Sequence, residues 1–434
     1  MNFLKDQFQQ ILRGGISILF YKVIKFIKIL IVFFLSIFFL PISFIVLLIS
    51  KFIFIRFSEI PTNRIGHFAG EVDLYLTNLK LKEKSQERKF LDIFCVQYYD
   101  NFICNKSLFK EVKKKMYIFP SINIYQLILN CKYYKIFSKH VFQISRYKDR
   151  DVENIIYNTP ANLTFSEKDN LLGEEFLYSI TGSKKTKFVT LIVRDKAYLN
   201  KYYNTINKYF KKDWSYHDYR DGNIDNCVPA CEELTKLGYY VFRMGHVVEK
   251  KINTRNPKII DYATNGMRNE FLDLFLASRC EFCITNGVGW DAVPQIYRKP
   301  MLFINCIPLT SIFTSAKKFM ITVKHHYSKN LNRNLSLKEI FNYNLAEAYN
   351  STDYSDKNII VKENDAHEIC NAVLEMETFV KNSEFKYENF CKFNKKFWEI
   401  YIEMNRKLNL ESYHGKLLSR ISKSFIRNNN YLLS

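Results

Sequence analysis

Between Gly238 and Pro308 the chain alternates short apolar runs with helical periodicity, and that alternation admits few folds. Residues 239–242, 259–260, 281–285 and 301–305 read as strands. Phe271, Leu272, Phe275 and Leu276 repeat at helical spacing, which predicts a helix over 269–279 with Glu270 in its first turn, where a carboxylate complements the helix dipole. Another helix begins near Trp290 or Asp291, because Pro294 is tolerated only in a first turn whose amides lack intrahelical partners. Strands and helices alternating in this way give an α/β fold with a parallel sheet, and such a sheet binds ligands beyond the carboxyl ends of its strands. The residues in that position are Arg243, Asp261, Tyr262, Asn286, Gly287, Val288 and Gly289. Glycines opening a helix allow a phosphate to approach bare backbone amides. The same Asn-Gly pair also suits a plain turn.

The pattern extends upstream. Residues 188–193 form a continuous apolar run that ends in Arg194-Asp195, and a 216–221 loop containing His217 and Arg220 precedes a helix over 225–237, stopped by Gly238. Arg194, Arg220 and Arg243 are therefore candidates to converge on one anionic ligand, the alternative being that some of them form ordinary ion pairs. Before this domain, Pro61 to Glu71 has glycines around His67 and reads as a tight turn leading into a helix. Strands at 91–96 and 116–119 and helices at 107–115, 122–133 and from Ser166 to just before Gly182 complete a smaller α/β unit. The expected division is a membrane anchor over 1–57, an α/β domain over 58–182, a Rossmann-like domain over 183–375 and a helical segment over 376–434. Helices are expected at 337–348, 366–379 and 390–408, and the basic last residues are expected to fray.

From Ile29 to Ser50 about 22 residues carry no charge, enough to cross a bilayer, with Lys28 and Lys51 on either side. The tract lacks the small-residue cleavage site of a signal peptide. Either it spans the membrane once or it breaks at Pro41 into a re-entrant hairpin; basic residues on both flanks favour keeping both ends in the cytoplasm. The formal net charge of +21 suits a phosphate-bearing partner or an anionic membrane surface. Lysine is scattered and forms no basic block, which argues against nucleic acid. The ten cysteines show no compact disulfide framework and read as reduced thiols.

Taken together, R-I-G-H at 64–67, V-R-D at 193–195, H-D-Y-R-D at 217–221, the 238–245 run, I-D-Y-A at 260–263 and the 271–289 run resemble a bacterial family of surface-polysaccharide glycosyltransferases with a GT-B-like fold. The resemblance covers roughly Glu59 to Glu377. It implies two Rossmann-like domains, a nucleotide-sugar donor bound chiefly by the second and a glycan or lipid-linked acceptor bound chiefly by the first. The uncharged tract, its basic flanks and the cysteines without a disulfide pattern lead to the separate expectation of a catalytic domain on the cytoplasmic face of an inner membrane. Transfer from a nucleotide diphosphate needs positive charge or amide dipoles at the leaving phosphates, and inversion needs a base near the acceptor hydroxyl. Arg194, Arg243, Gly287, Val288 and Gly289 are candidates for the first task, while His67, Glu71 and Asp195 compete for the second. No D-x-D pair stands ahead of a strand, so no obligatory metal or other cofactor is expected. A non-catalytic scaffold with a decayed pocket is the alternative; a nicotinamide enzyme is disfavoured by the lack of G-x-G-x-x-G after any strand.

Overall fold

The computed structural model describes residues 40–84, 90–96, 102–119, 137–144, 150–203, 213–382, 392–409 and 415–434, with scattered positions between 19 and 38. A helix α1 (Leu40–Ile49) leads into β1 (Phe54–Ile60), which pairs in parallel with β2 (Phe90–Val96); β3 (Tyr117–Ile118) follows on the far edge. The sheet thus begins three residues before the expected end of the anchor at 57. Six of the 22 residues of the uncharged tract lie outside the described residues, as does the whole of the helix expected at 122–133. Among the described residues no helix is long and apolar enough to cross a membrane. Helix α2 (Ile65–Lys84) connects β1 to β2, and α3 (Lys106–Lys113) connects β2 to β3, its N-cap Asn105 accepting a hydrogen bond from the Leu108 amide at 2.7 Å.

Helix α4 (Glu167–Thr181) starts at the N-cap Ser166 and stops at Gly182, whose φ of +72° is the left-handed conformation that ends helices. Beyond it lie β4 (Phe188–Ile192), α5 (Val228–Lys236), β5 (Tyr240–Arg243), β6 (Ile259–Ile260), α6 (Glu270–Arg279), β7 (Cys283–Thr285), α7 (Ala292–Ile296), β8 (Met301–Cys306) and β9 (Phe319–Val323). Asn269 caps α6 by accepting from the Leu272 amide, which places the helix one residue inside its expected start.

The hairpin-like set β10 (His325–Ser328), β11 (Arg333–Asn334) and, later, β12 (Ile359–Lys362) forms a small antiparallel sheet absent from the sequence reading. Its strands are short, and two of them carry buried histidine or exposed lysine in place of an apolar run. Helix α8 (Leu337–Asn342) is half its expected length, because Asn344 adopts a positive φ of 54° two residues past its end. After α9 (Ser351–Ser355) come α10 (Ala366–Lys381) and α11 (Lys392–Lys407), close to expectation.

The chain then returns through β13 (Arg420–Ile421) and α12 (Lys423–Asn428), and the expected fraying does not occur. β13 pairs with β9, and Leu432 and Leu433 are buried in the largest core cluster. Apolar burial, at about 25 cal/mol per Å², outweighs the basic character of this segment.

The large sheet is parallel throughout, in the order β13-β9-β8-β7-β4-β5-β6. From β4 the chain proceeds outward through β5 and β6, then returns to the other side of β4 with β7. The strand order therefore reverses between β4 and β7, and a crevice opens at such a reversal. The smaller lobe is pressed against this one. Phe68, Val72 and Leu76 of α2 share a core cluster with Leu274 and Ala277 of α6 and with Ala292, Val293 and Ile296 of α7. Arg298 reaches across to the buried Asp73 of α2 at 2.6 Å. Burial raises the Asp73 carboxyl, opposed by Arg298, so this pair is a polar seal within an apolar contact.

Candidate functional site

A cleft of about 380 Å³ lies at the reversal point. One wall is made by the loops after β4, β5 and β7; the other is made by Arg64 to His67 at the start of α2 and by Cys104 and Asn105 before α3. The lobes meet here through bare backbone: a Cβ on Gly66 would sit 3.0 Å from both Cα and O of Gly289. The close approach calls for glycine at 66, whereas a Cβ on Gly289 would meet the Gly66 nitrogen at 3.4 Å, an ordinary contact. Gly287 has a different role, with φ +86° and nothing near its missing side chain.

The loop after β4 carries Arg194 and Asp195. The Arg194 amide donates to Asn286 Oδ1 at 2.7 Å, and Asn286 Nδ2 donates to the carbonyl of Arg220 at 3.3 Å, so Asn286 buttons together the three segments of the wall. Arg194 Nε stands 3.3 Å from Asp221 Oδ1, an ion pair without hydrogen-bond geometry, and its guanidinium makes no other hydrogen bond among the described residues. Burial, aided by the neighbouring Arg220, lowers its pKa. Arg220 donates from Nη2 to the carbonyl of Gly287 at 2.9 Å, while its Nε is without a partner. The Nε of Arg268 and the indole N–H of Trp290 are likewise buried donors without acceptors on this cleft. Val288 and Gly289 also line it, and the backbone amide of neither makes a hydrogen bond among the described residues. Convergent buried donors lacking acceptors suit an anion.

The loop holding His217 and Arg220 is fixed from below. Buried Lys324, at the β9–β10 junction, donates to the carbonyls of Tyr219 at 3.0 Å and Asp221 at 2.6 Å. Burial pulls its pKa down to about 8, opposed by Glu363 and Asp221, and burial pushes the Asp221 carboxyl up to about 6 against the pull of Arg194. Above the loop Trp214, Tyr216 and His217 form an aromatic group, with the His217 ring 4.0 Å from that of Tyr216 and stacked on Trp214 at 14°. Trp214 and His217 both line the cleft.

Across from the cations, His67 Nδ1 lies 2.9 Å from Glu71 Oε1, one helical turn away on α2. The two competing base candidates are therefore one unit: a carboxylate that holds the proton on Nδ1 leaves Nε2 as the basic nitrogen. His67 lines the cleft and Glu71 stands behind it.

The other candidate residues are engaged within the fold. Arg243 is almost wholly buried, pairs with Asp261 at 3.0 Å and donates to the carbonyl of Lys250 at 3.2 Å. Asp261 is further occupied by the Ile252 amide and the Thr264 hydroxyl. Tyr262 is buried, its hydroxyl bonded to the backbone of Asn269. These three residues tie β5, β6 and α6 together and do not line the cleft; Asn286 is similarly consumed by backbone partners. Asp195 lines the cleft, yet its oxygens accept from the amides of Ala197 and Glu249, both at 2.9 Å, which suits a loop staple better than a base. Gly289 does not have a positive φ, so only Gly287 is conformationally special in that loop.

Sequence reasoning missed Arg268, Asp273, His246 and Trp290, all on the cleft. Arg268 donates to Asp273 at 2.6 Å. Burial raises the Asp273 carboxyl to about 6 against Arg268, while burial and then Arg268 lower the His246 imidazole to about 4. His246 follows Gly245 just beyond β5 and Trp290 follows Gly289, so the rule that selected their neighbours reaches them too.

No family model matches the chain, and no curated protein does. Among solved structures, it is similar to the ADP-heptose lipopolysaccharide heptosyltransferase II of E. coli, at 11% identity over 62% of this chain and 90% of that one, with a TM-score of 0.33. It is also similar to the glycosyl transferase family 9 protein of Veillonella parvula DSM 2008, at 12% identity over 58% of this chain and 80% of that one, with a TM-score of 0.35. The chain is thus similar in structure to two glycosyltransferases, at TM-scores too low for that likeness to carry an argument.

Proposed function

We propose that the chain is a glycosyltransferase of GT-B-like architecture, taking a nucleotide-diphosphate sugar at the reversal point of its large sheet and transferring the sugar to an acceptor presented from the smaller lobe. The observation that carries this reading is the pairing, across one cleft, of the incompletely hydrogen-bonded guanidinium groups of Arg194 and Arg220 with the His67–Glu71 unit. Arg194, Arg220 and the Val288 and Gly289 amides hold the diphosphate and stabilise the charge that grows on it as the anomeric C–O bond breaks. The acceptor oxygen forms the new bond at the same carbon and gives its proton to His67 Nε2, while Glu71 steadies the resulting imidazolium. Trp214 and His217 offer a ring surface beside the arginines.

Thermal stabilisation of the full chain by a panel of UDP, GDP, ADP and CMP sugars tests the reading, since ligand binding to the native state raises Tm. One sugar nucleotide is expected to raise Tm in the wild type and not in Arg194→Ala. No shift with any member of the panel sinks the proposal.

We also propose that the protein works at the cytoplasmic face of a membrane. Phe44, Ile45, Leu48, Ile49, Phe52 and Ile53 all present large apolar side chains to solvent, Phe52 at 85% exposure. An exposed run of that kind suits burial in a lipid surface. Co-sedimentation with anionic vesicles checks this; a full chain that stays in the supernatant overturns it.

A further inference from the structure

Among the described residues the small antiparallel sheet contributes none to the lining of the cleft, yet one end of it grips the loop that carries Arg220. β10 and β12 pair with His325 opposite Lys362, so Lys324 and Glu363 are the next positions outward on the two strands. Lys324 Nζ donates to the carbonyls of Tyr219 and Asp221, on either side of Arg220, and Glu363 Oε2 accepts from the Asn223 amide at 2.9 Å. A buried cation thus holds two carbonyls of the loop and a carboxylate holds one of its amides, both by the stronger, charge-assisted kind of hydrogen bond.

The grip is anchored on one side and tight on the other. Asn364, wholly buried, donates from Nδ2 to the carbonyl of Val323 at 2.9 Å, and its amide donates to Asn305 Oδ1 at 2.6 Å, so the neighbours of Glu363 and Lys324 are tied to each other and to β8. On the cleft side the Gly222 amide donates to the carbonyl of Arg194 at 2.9 Å, and Arg220 donates to that of Gly287. A Cβ on Gly222 would lie 2.9 Å from both Asn286 Nδ2 and Val193 Cγ1, which leaves the loop little room to shift.

Resting on the reading of the cleft as a diphosphate site, we infer that Lys324 and Glu363 are positioning residues for donor binding: through the 219–223 loop they set where the guanidinium groups of Arg194 and Arg220 stand, although neither lines the cleft. The ammonium and the anion site are also coupled by charge. Burial brings Lys324 down to about 8; Glu363 and Asp221 oppose this, and Arg194 adds to it. His326, two residues along β10, is pulled by burial to about 4 and is neutral over this range. An anion that offsets Arg194 favours the protonated lysine, and by reciprocity the protonated lysine favours the anion. Anion affinity therefore holds below about pH 8 and falls as pH rises through that value.

Titration of the full chain with inorganic pyrophosphate, from about pH 6 to about pH 9, tests the inference, since the ligand's own protonation is common to all the proteins compared. Lys324→Met is expected to weaken binding about tenfold at about pH 7, the affinity equivalent of one charge-assisted hydrogen bond, and to lose the fall near pH 8. Glu363→Ala is expected to weaken it several-fold. Glu363→Gln keeps an acceptor for the Asn223 amide but removes a charge that favours protonated Lys324, so it should bind like the wild type at the acid end and move the fall to lower pH. Glu363 is partly exposed, so its variants decide the matter even where Lys324→Met does not fold. Wild-type affinity in Glu363→Ala, or a Glu363→Gln profile that superimposes on the wild type, overturns the inference. The sugar-nucleotide panel on the same preparations separates the two readings. Pyrophosphate binding that depends on Lys324 and Glu363, without stabilisation by any sugar nucleotide, keeps the positioning role and removes the transferase. Stabilisation by a sugar nucleotide that these variants leave unchanged does the reverse, and a wild type that binds neither ligand removes both.

Discussion

Arg194 and Arg243 stand at the carboxyl ends of the neighbouring parallel strands β4 and β5, and in the sequence they are equivalent candidates for one anion. In the structure Arg243 is 1% exposed, with Nη1 on Asp261 and Nη2 on a backbone carbonyl and only its Nε without a partner, whereas among the described residues the Arg194 guanidinium has the Asp221 ion pair alone, at 3.3 Å. The difference comes from the loops. The chain after β5 brings an aspartate back at the end of β6, so the Arg243 charge is neutralised within the fold. The loop after β4 instead meets Asn286, which binds its backbone and leaves its guanidinium to the cleft. A strand-end position makes a charged residue available, and the partner supplied by the next strand decides whether that charge remains available to a ligand.

The largest effect is expected where this contrast is sharpest, at a residue whose loss affects chemistry and not stability. His67→Ala should lower the transfer rate about 10²- to 10⁴-fold, the usual contribution of a positioned general base, with Tm little changed. Glu71→Gln should lose less, since the amide still holds the His67 ring in place. A His67→Ala enzyme of normal rate removes histidine from the mechanism.

Next in size, Arg243→Ala should destabilise the protein by about 3 to 5 kcal/mol, because Asp261 is left as an unpaired, largely buried charge. Sugar-nucleotide affinity of the folded fraction should be unchanged. Chemical denaturation with parallel ligand titration reads both quantities, and a stable variant with lost affinity inverts the comparison.

Arg194→Ala should do the opposite, weakening donor binding by about 1.5 to 3 kcal/mol, the range for a charged hydrogen bond, at a smaller cost in stability than Arg243→Ala. Equal affinities in wild type and variant assign Arg194 to its ion pair with Asp221 alone.

The smallest effect concerns that partner. Asp221 titrates near 6 in the fold against an ordinary value of 3.8, so between those values the folded state retains a proton that the unfolded state has released. The stability that this residue contributes is therefore complete below about pH 4, falls as pH rises to about 6, and is level above that. Asp221→Asn cannot titrate and should gain on the wild type over the same window. Denaturation midpoints at pH 4, 5, 6 and 7 measure the gap; a gap that does not widen refutes the assignment.

Much of the fold was legible because its signals were periodic. The alternation over 238–308, the capped start of α4 and the stop at Gly182 rest on local preferences that the tertiary structure reinforces. The small antiparallel sheet was hidden because β10 reads His-His-Tyr-Ser and follows a buried lysine, so hydropathy there points outward. Lys324 is intelligible only when the carbonyls of Tyr219 and Asp221, about a hundred residues away, are brought to its ammonium. The same reason explains the site. Residues on the cleft were mostly found by their place after a strand, but which of them were consumed by partners depended on long-range pairings such as Asn286 with Arg194. The unity of His67 and Glu71 was available in the sequence as an i, i+4 spacing on a helix.

One feature of the fold bears on how the protein is made. The edge strand β13 and the buried pair Leu432 and Leu433 complete a core cluster that also contains Phe303, Phe319 and Ile340. Those earlier residues leave the ribosome with this apolar surface uncovered, and it stays uncovered until the 420–433 segment has been synthesised. The lobe that carries the arginines therefore closes its core only after that segment has emerged, and during that interval its open sheet edge is exposed to other chains and to chaperones.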